Sequence, residues 1–147
     1  MNHLEKSIDY HKRGFNCSQS VLAAFSDITG LSEQDSFSLG GGFGAGAGTG
    51  ELCGAITGAV MTLGLLTPTD PADPVSSKKR TVALSKELQK RFLEKFGALR
   101  CQDLLGSKRS GSEIATETAK AMGLTGHCDI MIVTAAEIVE ELLAERG

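Results

Sequence analysis

Four cysteines, Cys17, Cys53, Cys101 and Cys128, stand within about a turn of the start of a segment that reads as a helix, each directly before an apolar run. The thiolate is the form of cysteine that attacks and ligates. Near a helix N-terminus its pKa can fall from about 8.5 to between roughly 3.5 and 7.5. Each helix start carries roughly +0.5 of a charge, so four aimed at one point supply about +2. The chemistry this predicts is that of anionic sulfur, in a metal centre or a redox couple. Taken singly, a buried cysteine is only a small hydrophobe; the signal is in the set.

The intervals between the four, 36, 48 and 27 residues, match no compact zinc knuckle, zinc ribbon or Cys-x-x-Cys loop. The tertiary structure must therefore build any site they share. Four thiolates suit tetrahedral zinc or an iron–sulfur cluster. An oxidised [2Fe–2S] cluster held by four thiolates bears a charge near −2, which about +2 of converging helix ends offsets. That match favours the cluster over dithiol exchange without removing the latter.

The 147 residues suit one domain, 1–147, large enough to bury a core without disulfides. A net charge of −3 and seven aromatic residues without an interleaved basic stripe argue against nucleic-acid binding. The start, Met1-Asn2-His3-Leu4-Glu5-Lys6, has no apolar core segment, so neither a signal nor a transit peptide is expected, and a cytoplasmic location follows. Thiols stay reduced there, which again favours a metal centre or redox chemistry over structural disulfides.

The elements that must position the sulfurs are helices. Leu4 and Ile8 share a face of a polar helix over 2–13, stopped near Gly14. Asn16 caps a second helix carrying Val21, Leu22, Phe25 and Ile28, ended by Gly30. A short helix over 32–39 leads into the stretch 40–50, where seven of eleven residues are glycine, a sign of positive φ or close backbone approach.

Thr49 or Gly50 is expected to cap a central helix from Glu51 to about Leu66. Its fifteen residues from Leu52 are uncharged but shorter than the roughly 20 a bilayer requires, so this is a core helix and no membrane span. Gly54 and Gly58, one turn apart, strip side chains from one face and let another helix or a cofactor approach.

Asp73 and Pro74 open a long helix to about Phe96, whose stripe Leu84, Leu88, Phe92 and Phe96 faces the core while its lysines and arginines, Arg91 included, face solvent. Cys101 opens a short turn. Ser110 and Glu113 form a capping pair for a helix to about Met122, and Cys128 precedes the last helix, Asp129 to Arg146. The expectation is an all-α, irregular bundle of about six to seven helices. His127 reads as a solvated turn residue outside the site, and His3 and His11 as polar-helix residues. The glycine stretch lacks the Lys and Ser/Thr of a P-loop and follows no strand, which argues against nucleotide binding.

Gly50-Glu51-Leu52-Cys53-Gly54-Ala55-Ile56-Thr57-Gly58, with Asn16-Cys17-Ser18-Gln19, Cys101-Gln102-Asp103-Leu104-Leu105 and Cys128, resembles the C_GCAxxG_C_C family, named for a redox role. The resemblance covers nearly the whole chain. It places Cys17, Cys53, Cys101 and Cys128 on the family's four cysteines, and Gly54, Ala55 and Gly58 on its small residues. The stretch 107–120 has no counterpart in the pattern.

Three functions remain open at this point. The first is an iron–sulfur electron carrier working with a redox partner protein, with Cys17, Cys53, Cys101 and Cys128 as ligands and Gly54 and Gly58 beside the cofactor. The second is a metal-free thiol/disulfide oxidoreductase using the same cysteines, and the third a structural zinc module. Whether the protein is an enzyme, and whether its central helix also packs across a homodimer, is left undecided by the residues.

Overall fold

The computed structural model describes residues 1–106 and 111–146. Ten α-helices occupy them: α1 (His3–Lys12), α2 (Cys17–Ala24), α3 (Ser26–Thr29), α4 (Glu33–Gly40), α5 (Gly54–Leu66), α6 (Pro74–Phe96), α7 (Cys101–Leu105), α8 (Gly111–Ile114), α9 (Glu117–Ala121) and α10 (His127–Arg146), with a π-type turn at Gly46–Gly50. The fold is all-α. Among the described residues the sole β pairing is an isolated antiparallel bridge between Leu52 and Arg100. No described helix is long and apolar enough to cross a membrane.

The helices start where short polar side chains can accept from their free N–H groups. Asn2 and Asn16 form capping boxes with Glu5 and Gln19. Ser32 accepts from Asp35 N–H at 3.0 Å, and Asp73 from Ser76 N–H at 3.2 Å with Pro74 in the first turn. Gly97 ends α6 at φ +76°.

The helix count exceeds six or seven because three expected elements are divided or added. The second helix breaks at Phe25 (φ −102°, ψ 13°), so Ile28 does not continue the buried stripe and is 43% exposed. The turn at Cys101 is a helix in its own right. The helix expected up to Met122 is two pieces, because Thr116 takes an extended conformation and caps α9 through Ala119 N–H. Ser110, the other half of the expected capping pair, lies outside the described residues.

The central helix starts three residues later than expected. Thr49 Oγ1 donates to the Gly46 carbonyl instead of capping a helix. Residues 51–53 are drawn into the bridge: Cys53 N–H donates to Leu99 O at 2.9 Å, and Cys101 N–H to Glu51 O at 2.6 Å. The Arg100 guanidinium straps the outside with two bonds to Glu51 at 3.1 and 3.2 Å. Cys53 is left as the N-cap residue of α5.

α5 is enclosed by α2, α6 and α10, with Ala55, Ile56, Ala59 and Leu63 fully buried. Gly58 makes that enclosure close. A Cβ there would lie 2.6 Å from Ser18 O and 3.1 Å from Val21 Cβ, so α2 rests directly on α5 backbone. The α6 stripe is inside as expected, with Leu88, Phe92 and Phe96 buried and Leu84 packed against them. Arg91 departs from the solvated face. It bonds Glu87 on its own helix and Glu141 and Glu145 of α10, fastening the two helices together.

Candidate functional site

Each cysteine sits where a helix begins. Cys17 is the first residue of α2, Cys53 caps α5, Cys101 opens α7 and Cys128 is the second residue of α10. The packing of α2 and α10 on α5 and the 52–100 bridge, which carries Cys53 and Cys101 together, bring these starts to one place. All four cysteines line a single pocket with Ala45, Gly54, Leu104, Leu105, His127 and Met131. The space enclosed is about 20 Å³, little more than one water.

The electrostatics differ from a uniform set of thiolates. Cys17 is pushed far up, first by its interaction with Cys128, which keeps the proton on Cys17, then by burial and by the other three sulfurs. Burial pushes Cys53 up to about 11, although the N–H groups of Ala55 and Ile56 donate to its sulfur and pull the other way. Cys101 is raised by burial and by the Cys128 charge. Only Cys128 is lowered. Its interaction with Cys17 is the main cause; burial opposes it, and smaller contributions from His127 and His11 add to the lowering.

Position at a helix start is therefore not sufficient to hold four thiolates. The half charge of a helix end works over one turn. Desolvation acts against it on all four, joined by repulsion from neighbouring sulfurs on Cys17, Cys53 and Cys101, and these three are raised. α7, with five residues, has little dipole to offer.

The structure brings Cys17, Cys53, Cys101, Cys128 and Gly54 around one pocket, while Gly58 lies a turn further along α5 against Ser18 and does not line it. Gly54 admits neighbours closely, since a Cβ there would stand 3.0 Å from Phe43 O and 3.2 Å from Cys17 Cβ. Two histidines set aside on sequence grounds belong to the surroundings of Cys128. His127 lines the pocket, with its Nδ1 buried and unpartnered, and His11 bonds Asp129, next to Cys128 on α10. Adjacency to Cys128 was the available signal for His127; nothing local signalled His11.

The glycine-rich stretch passes beside the sulfurs. Ala45, Gly46, Ala47 and Gly48 all have positive φ, between 53° and 76°, and form a left-handed turn from which Ala45 reaches the pocket. The Glu51 N–H closes it on Gly46 O at 3.1 Å, and a Cβ on Gly46 would lie 2.4 Å from Glu51 N.

A donor set of four cysteines is complete for zinc or an iron–sulfur centre in number, in chemical kind and in facing one pocket. The sulfurs are not preset as ligands: among the described residues no group of three or more His, Cys, Asp or Glu side chains is arranged to hold a metal ion.

A family model described as "Putative redox-active protein (C_GCAxxG_C_C)" matches residues 15–142. Neither a curated protein nor a solved structure matches the chain.

Proposed function

Since the chain belongs to the C_GCAxxG_C_C family of redox-active proteins, we propose that its four cysteines act as one redox site that binds an iron–sulfur centre of the [2Fe–2S] type and passes electrons to a partner protein. The observation that carries this reading is the common pocket of Cys17, Cys53, Cys101 and Cys128. A dithiol exchanger needs two sulfurs, whereas a four-thiolate centre needs all four, drawn from elements far apart in sequence.

Cys17, Cys53, Cys101 and Cys128 would hold the centre, which supplies one-electron capacity when bound. The protein's own groups do the rest. The N–H groups of Ala55 and Ile56 donate to the Cys53 sulfur, and His127 lowers the proton affinity of Cys128, both of which favour negative charge on sulfur. Leu104 and Met131, both buried, keep water from one side. Cys17, Cys53 and Cys101, whose thiols hold their protons in the free protein, give them up to solvent on ligation.

A second reading has its own support in the unequal proton sharing of Cys17 and Cys128. The Cys128 thiolate attacks a disulfide of a partner protein, breaking it and releasing one partner thiolate. Cys17 then loses its proton to solvent and attacks the mixed disulfide, so that a Cys17–Cys128 disulfide forms and the second partner sulfur leaves. The partner disulfide is reduced by two electrons and the pair is oxidised by two.

Visible absorption with iron and acid-labile sulfide analysis of anaerobically purified protein separates these readings. Brown protein with iron and sulfide supports the first, and Cys53→Ser then abolishes loading. Colourless protein with two readily oxidised thiols supports the second. Stoichiometric zinc overturns both in favour of a structural module.

A further inference from the structure

Three hydrogen bonds of one side-chain amide, that of Asn16, meet at the join between the Cys17 helix and the glycine-rich stretch. Its Oδ1 accepts from Gln19 N–H at 2.8 Å, the ordinary work of an N-cap. Its Nδ2 does something a cap does not require, donating to the carbonyls of Gly40 and Gly41, each at 3.2 Å. Gly44 then lies against the same side chain, so closely that a Cβ there would stand 2.7 Å from both Asn16 Cβ and Cγ. One residue further on, Ala45 lines the sulfur pocket, and Phe43 O abuts Gly54 beside Cys53.

From this geometry we infer that Asn16 is a positioning residue of the sulfur site: its amide ties the start of the Cys17 helix to the 40–45 segment and so holds Ala45 over the sulfurs. The inference rests on the reading of the four-cysteine pocket as the redox site. Side-chain chemistry makes it specific. Ser and Asp replace Asn well as caps, but neither can donate to two carbonyls, and a carboxylate there faces two carbonyl oxygens.

The test separates cap from tie by alkylation of Cys53, the most buried of the four cysteines at 5% exposure. Iodoacetamide labelling is followed by mass spectrometry on protein as purified under argon, in wild type, Asn16→Ser, Asn16→Ala and Gly44→Ala. Asn16→Ser, with its cap intact and its far-UV circular dichroism unchanged, labels Cys53 faster by roughly fivefold, the factor that one lost hydrogen bond is worth. Gly44→Ala keeps the cap and the donors but crowds Asn16, and it also labels faster. Wild-type rates in Asn16→Ser with an increase only in Asn16→Ala reduce Asn16 to a cap and overturn the inference, as do wild-type rates in both Asn16→Ser and Gly44→Ala. Absence of iron and of oxidisable thiols in the wild type removes the redox reading but leaves these labelling rates to be judged alone.

Discussion

Cys17 and Cys128 face the same sulfur pocket, and their coupling there raises the proton affinity of Cys17 and lowers that of Cys128. Neither residue has that character by virtue of its own helix. Both stand at helix starts, yet one is raised and the other lowered, because the interaction between them favours charge on one sulfur only.

A pH profile reads this division directly. A lowered pKa leaves Cys128 in the thiolate form at neutral pH, so its alkylation is fast at pH 7 and falls as acid passes through the depressed pKa. Cys17→Ala removes the partner, returns Cys128 toward the ordinary thiol value of about 8.5 and slows its alkylation at pH 7 by roughly tenfold. An unchanged profile in that variant would show that His127 and His11 alone hold the thiolate.

Two glycines of α5 differ in sign. Gly58→Ala forces a methyl to within 2.6 Å of Ser18 O, where only backbone can yield, and costs about 1–3 kcal/mol in thermal or denaturant unfolding. Gly64→Ala meets nothing nearer than Thr81 Cγ2 at 4.0 Å and gains helix propensity, stabilising by about 0.5–1 kcal/mol. Equal effects would mean that α2 does not rest on α5 backbone.

The left-handed turn carries its own prediction. Ala47 is exposed, with φ 58° and ψ 34°, a conformation that costs an L residue roughly 1–2 kcal/mol and glycine almost nothing. Ala47→Gly raises the unfolding midpoint by an amount equivalent to about 1 kcal/mol, offset in part by the freer unfolded chain. A lowered midpoint contradicts the left-handed assignment.

Sequence alone determined the longer helices and much of their punctuation, but not the break at Phe25 or the extended Thr116. The caps at Asn16 and Asp73, the glycine stop at Gly97, the buried stripe Leu88, Phe92 and Phe96 and the apolar central helix all follow from interactions within a few residues, where side-chain type and backbone preference decide the outcome. The four cysteines and their family were legible for the same reason, being a pattern of identities. What only the tertiary structure decided was the meeting of parts distant along the chain: the bridge from Leu52 to Arg100 that delays α5, the arrival of His127 and His11 beside Cys128, the tie from Asn16 to Gly40 and Gly41, and the departure of Arg91 from solvent to α10. Proton affinity at the sulfurs belongs to this second class, because burial and neighbouring charge are properties of surroundings that periodicity along a helix does not encode.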